Sequence, residues 1–269
     1  MNEQLIDVDF RFAPEMTGAI DQPADELDDM MCGAVKVRNF RDAFGADIIP
    51  EKDFKDWIDR THATRRNCVR RVFDQGSYPS CVGNGCAGAL SNRMFFQYGE
   101  DKWVDLSAAS TFSLYGGAGG AYIPTGIEYA NTVGFIPLDT PENRAVYGDI
   151  VYPEQNYRTR RPAGWEAVAC QWEIEEWFRV DGEDIEALFT AVQAMNRPGV
   201  YGRKGHCIYL NDFEFDSKGN LFGCYCNSWG RWGDPVDDRI GFGIGYDSRR
   251  TVEGCTFYCV GDVTHRVAA

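Results

Sequence analysis

Asp74-Gln75-Gly76-Ser77-Tyr78-Pro79-Ser80-Cys81-Val82-Gly83-Asn84-Gly85 runs from a glycine/proline turn straight into a helical pattern. Val82, Cys86, Leu90 and Met94 recur every fourth residue, with Ala87 and Ala89 beside them, the spacing of one helix face. Cys81 therefore stands at a helix N-terminus, where unpaired N–H groups and the macrodipole favour an anion. A thiol in that position loses its proton more readily than a free one, and the thiolate is the nucleophile. Read alone, Cys81 fits equally well as one of ten cysteines packed as a small hydrophobe.

Two downstream stretches bear on that choice. Gly205-His206-Cys207-Ile208-Tyr209-Leu210 is a strand-like run that opens on a histidine, and Cys226-Asn227-Ser228-Trp229-Gly230 follows after a hairpin turned by Lys218-Gly219-Asn220. The order is Gln75, Gly76, Ser80-Cys81, then Gly205-His206, then Asn227-Ser228-Trp229-Gly230. It resembles the papain-like cysteine peptidases, whose motifs run Gln-Gly-x-x-x-Ser-Cys, Gly-His and Asn-Ser-Trp-Gly. The resemblance covers roughly residues 49 to 262.

It implies an α+β, two-lobed papain-like fold. The first lobe, about 73–140, is expected to be helical, and the second, about 165–262, an antiparallel β-barrel-like lobe; together they form a catalytic domain over 49–269. It also implies roles. Cys81 attacks a peptide carbonyl, His206 holds the thiolate as an ion pair and protonates the leaving amine, and Asn227 orients the imidazole. Gln75 and the Cys81 N–H form the oxyanion hole. Gly119 and Gly120 line the cleft beside an extended substrate, and Trp229 covers the Asn–His bond. The expected activity is cysteine-type peptide hydrolysis without a metal or an organic cofactor. Two rivals stand beside it: a structural or interaction protein on a papain-like scaffold, and an amidase acting on cell-wall peptides or another amide.

Three positions depart from the family pattern: Val82 follows the nucleophile where the family often has Trp, Cys207 follows the histidine, and Tyr78 stands where secreted members carry a disulfide cysteine. With the acidic start Met1-Asn2-Glu3-Gln4, which is not a signal peptide, Tyr78 implies few or no disulfides and a cytoplasmic or particle-associated protein. No C-x-x-C pair occurs and there are three histidines, so a zinc site is not expected.

Composition bounds the partners. The 269 residues are 44% hydrophobic and 14% aromatic, enough for a sizeable core. A net charge of −14 argues against nucleic acid and anionic membrane surfaces, and no apolar run is long enough to span a bilayer. A polypeptide substrate is the expected partner. Residues 1–48 read as an acidic arm laid over the surface, densest at Asp25-Glu26-Leu27-Asp28-Asp29 and anchored through Leu5-Ile6, Phe10, Phe12 and Met30-Met31. The arm is expected to pair with Arg65, Arg66, Arg70 and Arg71, or to bind a protein partner or a second copy of the chain, and to be permanent rather than inhibitory.

Local patterns place the remaining elements. Ser107 predicts a helix cap before a helix through Leu114. Thr125-Gly126-Ile127-Glu128 fits a capping box for a helix over 126–133. Trp177–Val180, Ile240–Tyr246 and Cys255–Val260 read as strands, and Asp184–Met195 as an amphipathic helix.

Overall fold

The computed structural model describes Ala19 and residues 37–67, 69–203, 205–230 and 243–264, with the backbone alone for 62–67. The arm's apolar anchors and acidic run, the side chains of Arg65 and Arg66, and the start of the strand expected at Ile240 lie outside what is described.

In chain order, β1 (Val37–Asn39), α1 (Phe40–Phe44) and α2 (Phe54–Asn67) come first. Then follow α3 (Cys81–Tyr98), α4 (Ala108–Tyr115), α5 (Ile123–Thr132), α6 (Pro141–Tyr147) and α7 (Trp165–Ala169). The second half carries β2 (Trp177–Asp181), α8 (Ile185–Phe189), β3 (Gly199–Arg203), β4 (His206–Phe215), β5 (Leu221–Cys226), β6 (Ile244–Ser248), α9 (Arg249–Glu253) and β7 (Thr256–Val260). The helical half followed by a mainly β half is the expected α+β arrangement.

The strands form one sheet in the order β1-β2-β7-β3-β4-β5-β6. β1 runs parallel to β2, and the other pairings are antiparallel. Among the described residues the sheet is open, with β1 and β6 as its edges, so the barrel-like second lobe is a curled sheet rather than a fully closed one. Closure needs edges that pair along their length, and β1 offers three residues. The curl is nonetheless tight. The Tyr201 hydroxyl on β3 donates to Asp247 Oδ2 on β6 at 2.7 Å, across the two intervening strands, and Arg203 also pairs with Asp247.

α3 is the central element, and nearly everything around it is packed. Residues Cys81 to Asn92 are buried without interruption, so the helix has an apolar surround rather than the single stripe of its i, i+4 pattern. Its glycines make this possible. A Cβ on Gly83 would stand 2.9 Å from Ala108 O of α4, one on Gly85 would stand 2.8 Å from Cys207 Sγ, and one on Gly88 would meet the Tyr209 ring at 2.4 Å. α3 thus touches α4 on one side and β4 on the other, which joins the lobes. A second core lies on the other lobe, where the Phe54 and Phe189 rings stack at 3.7 Å.

Two helices differ from their expected spans. α5 starts at Ile123 rather than 126, with Pro124 in its first turn and no side-chain cap; proline preset to helical φ supplies the start that the capping box was expected to provide. The helix expected over Asp184–Met195 is α8 followed by a π-helical turn, Thr190–Ala194. There the buried Gln193 accepts from Phe213 N at 3.0 Å and donates to Thr61 Oγ1 at 2.7 Å. The wider turn accompanies a buried side-chain bridge to β4, next to the register shift between Leu210 and Asp212. Ser107 caps α4 as expected, accepting from Ser110 N at 3.2 Å.

Residues 37–48 are built into the second lobe rather than laid over it: Phe40 is fully buried and meets the Phe178 ring edge-on at 5.8 Å. Arg71 pairs with Asp105 at 2.7 Å and Glu154 at 2.6 Å, and Arg70 with Glu100. These partners belong to the helical half and the segment after it, not to the arm.

Candidate active site

The turn before α3 is held from within and from across the lobes. Gly76 takes φ +56°, a left-handed conformation suited to glycine, and its N–H donates to Asp74 Oδ1 at 2.9 Å. Gln75 N donates to Ser228 O at 2.8 Å and Gly230 N to Phe73 O at 3.0 Å, with Asp74 bridged to Trp229. The Gln75 amide, fully buried, is fixed at both ends: its oxygen accepts from Ser228 Oγ at 2.6 Å and its nitrogen donates to Tyr78 O at 2.8 Å. One of its two N–H groups is thereby engaged in the turn.

Cys81 opens α3, and Ser80 stands at the cap without a side-chain bond to a backbone N–H, its Oγ accepting from Asn84 Nδ2 at 3.2 Å. Asn84 also donates from its backbone to Ser80 O at 3.0 Å and from its side chain at 2.9 Å. Cys81 packs in the same cluster as Cys207, the residue after His206. Burial, with Cys81 and Cys86 adding to it, holds the Cys207 thiol well above its ordinary range.

His206 begins β4, and its Nε2 lies 2.7 Å from Asn227 Oδ1. That oxygen also accepts from Ser228 N at 2.7 Å, which fixes the orientation of the Asn227 amide. An oxygen cannot donate, so Nε2 carries the proton and Nδ1 of the neutral ring carries the lone pair. The Trp229 ring stacks on the imidazole, with centroids 4.6 Å apart and planes 22° from parallel. Burial lowers the His206 pKa to about 4, with the Asn227 bond opposing the shift. Burial thus favours the neutral ring and the Asn227 bond the charged one.

Gln75, His206, Asn227 and Trp229 are thus joined by direct contacts, with Ser228 as the link that the sequence reading did not assign a role. Its hydroxyl sits inside the quoted motif, so position alone could have drawn attention to it. Gly119 is exposed, and Gly120 is buried and closes a tight turn with Gly117 through reciprocal backbone bonds of 3.1 Å. The backbone that pairs with another segment is one residue further on. Ala121 forms a parallel bridge with Ala19, whose N–H donates to Gly205 O at 2.9 Å. Ala19 thus joins the loop after Gly120 to the residue before His206. No local pattern in the sequence marks it. Cys81 and His206 are 0% and 1% exposed in this arrangement.

No family model and no curated sequence matches the chain. Solved structures do match. Xylellain, a cysteine protease from Xylella fastidiosa, shares 16% identity over 93% of this chain and 97% of its own, with a TM-score of 0.55. Digestive procathepsin L2 from the larval midgut of Tenebrio molitor shares 15% over 93% and 81%, at 0.61. ProCathepsin B S9 from Trypanosoma congolense shares 14% over 95% and 89%, at 0.56. These neighbours are papain-like cysteine proteases, and at such identities the likeness establishes the fold.

Proposed function

We propose that the chain is a cysteine-type peptidase. The observation that carries this reading is the Asn227–His206 bond under the Trp229 ring, which presents Nδ1 as a base. In the reaction, His206 Nδ1 takes the Cys81 thiol proton as Sγ attacks the scissile carbonyl, and returns it to the leaving amine. Water then attacks the thioester. His206 removes its proton, the acid product leaves, and the thiol is restored. Asn227 holds the ring through both steps. The Cys81 N–H and the second N–H of Gln75 Nε2 are the oxyanion donors.

The test is labelling with an epoxide or vinyl-sulfone thiol inhibitor followed by peptide mapping, alongside hydrolysis of a peptide library. Cys81 should take the label, Cys81→Ala should abolish turnover with the fold kept, and Gln75→Ala should lower kcat by ~10²–10³. Label spread evenly over the other cysteines, with no hydrolysis, would sink the proposal.

The scaffold reading has its own support in the burial of Cys81 and His206. It is favoured if the library stays uncut while the protein is folded.

A further inference from the structure

Asn84 is the one amide in the apolar run of α3 from Cys81 to Leu90, and it is 1% exposed. Its Nδ2 donates to both oxygens of Ser80, to the carbonyl at 2.9 Å and to the hydroxyl at 3.2 Å. Its Oδ1 is buried and has no hydrogen-bond partner among the described residues. The gap that Asn84 lines with Cys207, Cys226, Asn227 and Ser228 leaves no room for a water molecule. Stability alone does not account for an amide here. An unpaired buried acceptor is destabilising, and an apolar side chain would not carry that cost.

The two bonds to Ser80 act on the same end of the helix. The Ser80 C=O and the Cys81 N–H belong to one planar peptide unit. Two donors hold the Ser80 oxygen, Asn84 N at 3.0 Å and Asn84 Nδ2 at 2.9 Å, so they also fix the direction in which the Cys81 N–H points. The hydroxyl bond has a different effect. A cap serine ordinarily accepts from the N–H of the second or third helical residue, here Val82 or Gly83. Ser80 does not: its φ of −99° and ψ of 22° are not the extended backbone of a cap, and its side chain makes no capping bond. With Ser80 Oγ turned to Asn84 Nδ2, the positive end of the α3 dipole is left unscreened by a cap oxygen beside Cys81.

We propose that Asn84 is a positioning residue of the oxyanion hole: by holding both oxygens of Ser80 it aims the Cys81 N–H and keeps the end of α3 uncapped for the charge that develops on the substrate carbonyl. The proposal rests on the peptidase reading for the reaction, whereas the state of the helix end is testable without turnover. Asn84 lies outside the matched motifs, and its part comes from three bonds to the residue before the nucleophile.

Asn84→Ala and Asn84→Leu remove the donor with a smaller and a larger side chain, so a packing fault in one does not decide the outcome. The freed Ser80 hydroxyl should then cap the helix. Amide hydrogen exchange at Val82 and Gly83 should slow by about fivefold relative to residues 87–94 of the same helix, the factor that corresponds to one serine cap. Adding Ser80→Ala to either variant should abolish the slowing. On a peptide that the parent cleaves, both variants should lower kcat by about tenfold with KM kept, less than the ~10²–10³ for a donor removed outright. Ser80→Ala should recover part of that loss, which a merely structural role for Asn84 would not allow. Exchange at 82–83 that follows the rest of the helix in both variants, or a kcat equal to the parent's, would overturn the proposal. So would a loss of kcat that Ser80→Ala does not ease. If the parent cleaves nothing and Cys81 takes no thiol inhibitor, the peptidase reading fails instead, and the exchange at 82–83 still decides whether Asn84 holds the helix end open.

Discussion

His206 meets two opposed demands. Burial disfavours the imidazolium, and the bond to Asn227 favours it; burial prevails and brings the pKa to about 4. The unfolded chain should titrate near the ordinary value of 6.5. Between these values the unfolded state binds a proton that the folded state refuses, so stability falls as pH drops from about 6.5 towards 4 and is unaffected above that window. The full shift corresponds to a loss on the order of 3 kcal/mol. Denaturation between pH 7 and 4.5 should show the parent losing more stability than His206→Gln. A histidine Cε1–H resonance missing from that variant should titrate near pH 4; a midpoint near 6.5 would show the ring to be solvated. The motif residues were legible because each is chemically specific and sits in a short local pattern. The ring's protonation was not, because it is set by how far water is excluded, which no local pattern reports.

At the scale of elements, the glycines of α3 decide how closely its neighbours approach. Alanine at an ordinary helix position gains ~1 kcal/mol over glycine. At Gly83 the new methyl would stand 2.9 Å from both Ala108 O and Phe112 Cβ. Neither atom can turn aside, because one is backbone and the other is the methylene that joins the buried Phe112 ring to the backbone. Gly83→Ala should therefore destabilise the protein by about 1–3 kcal/mol despite its better propensity. Gly85→Ala faces a thiol that can rotate and should cost less; chemical denaturation of both variants checks the order. The helix itself, the Ser107 cap and the strands at His206 and Trp177 were readable from period and capping. The π-turn at Thr190–Ala194 and the three-residue β1 were not. The first accompanies a buried link to Phe213 on a distant strand, and the second exists through one parallel pairing with β2.

For the whole molecule, the two-lobed plan was visible in the change from helical to strand-like patterns, whereas the seat of Ala19 was not, since backbone hydrogen bonds leave no mark on residue type. The stretch before residue 49 divides into two parts with different consequences when removed. Cutting away residues 1–36 takes Ala19 but spares β1. Cutting away 1–48 also removes β1, the buried Phe40 and the Arg41–Asp184 pair at 2.5 Å. The shorter deletion should give a folded protein that scatters light as the parent does, and the longer one a less stable protein that scatters light increasingly with concentration. Matching light scattering from the two would refute this. β1 thereby acquires a second meaning. A strand of three residues adds little cohesion, yet it occupies the hydrogen-bonding flank of β2, and Arg38 and Asn39 leave its own flank polar. Without it, Trp177–Asp181 would present bare N–H and C=O groups beside the uncovered Phe178 ring, a template on which another chain can add and continue the sheet. The short strand is a guard against polymerisation.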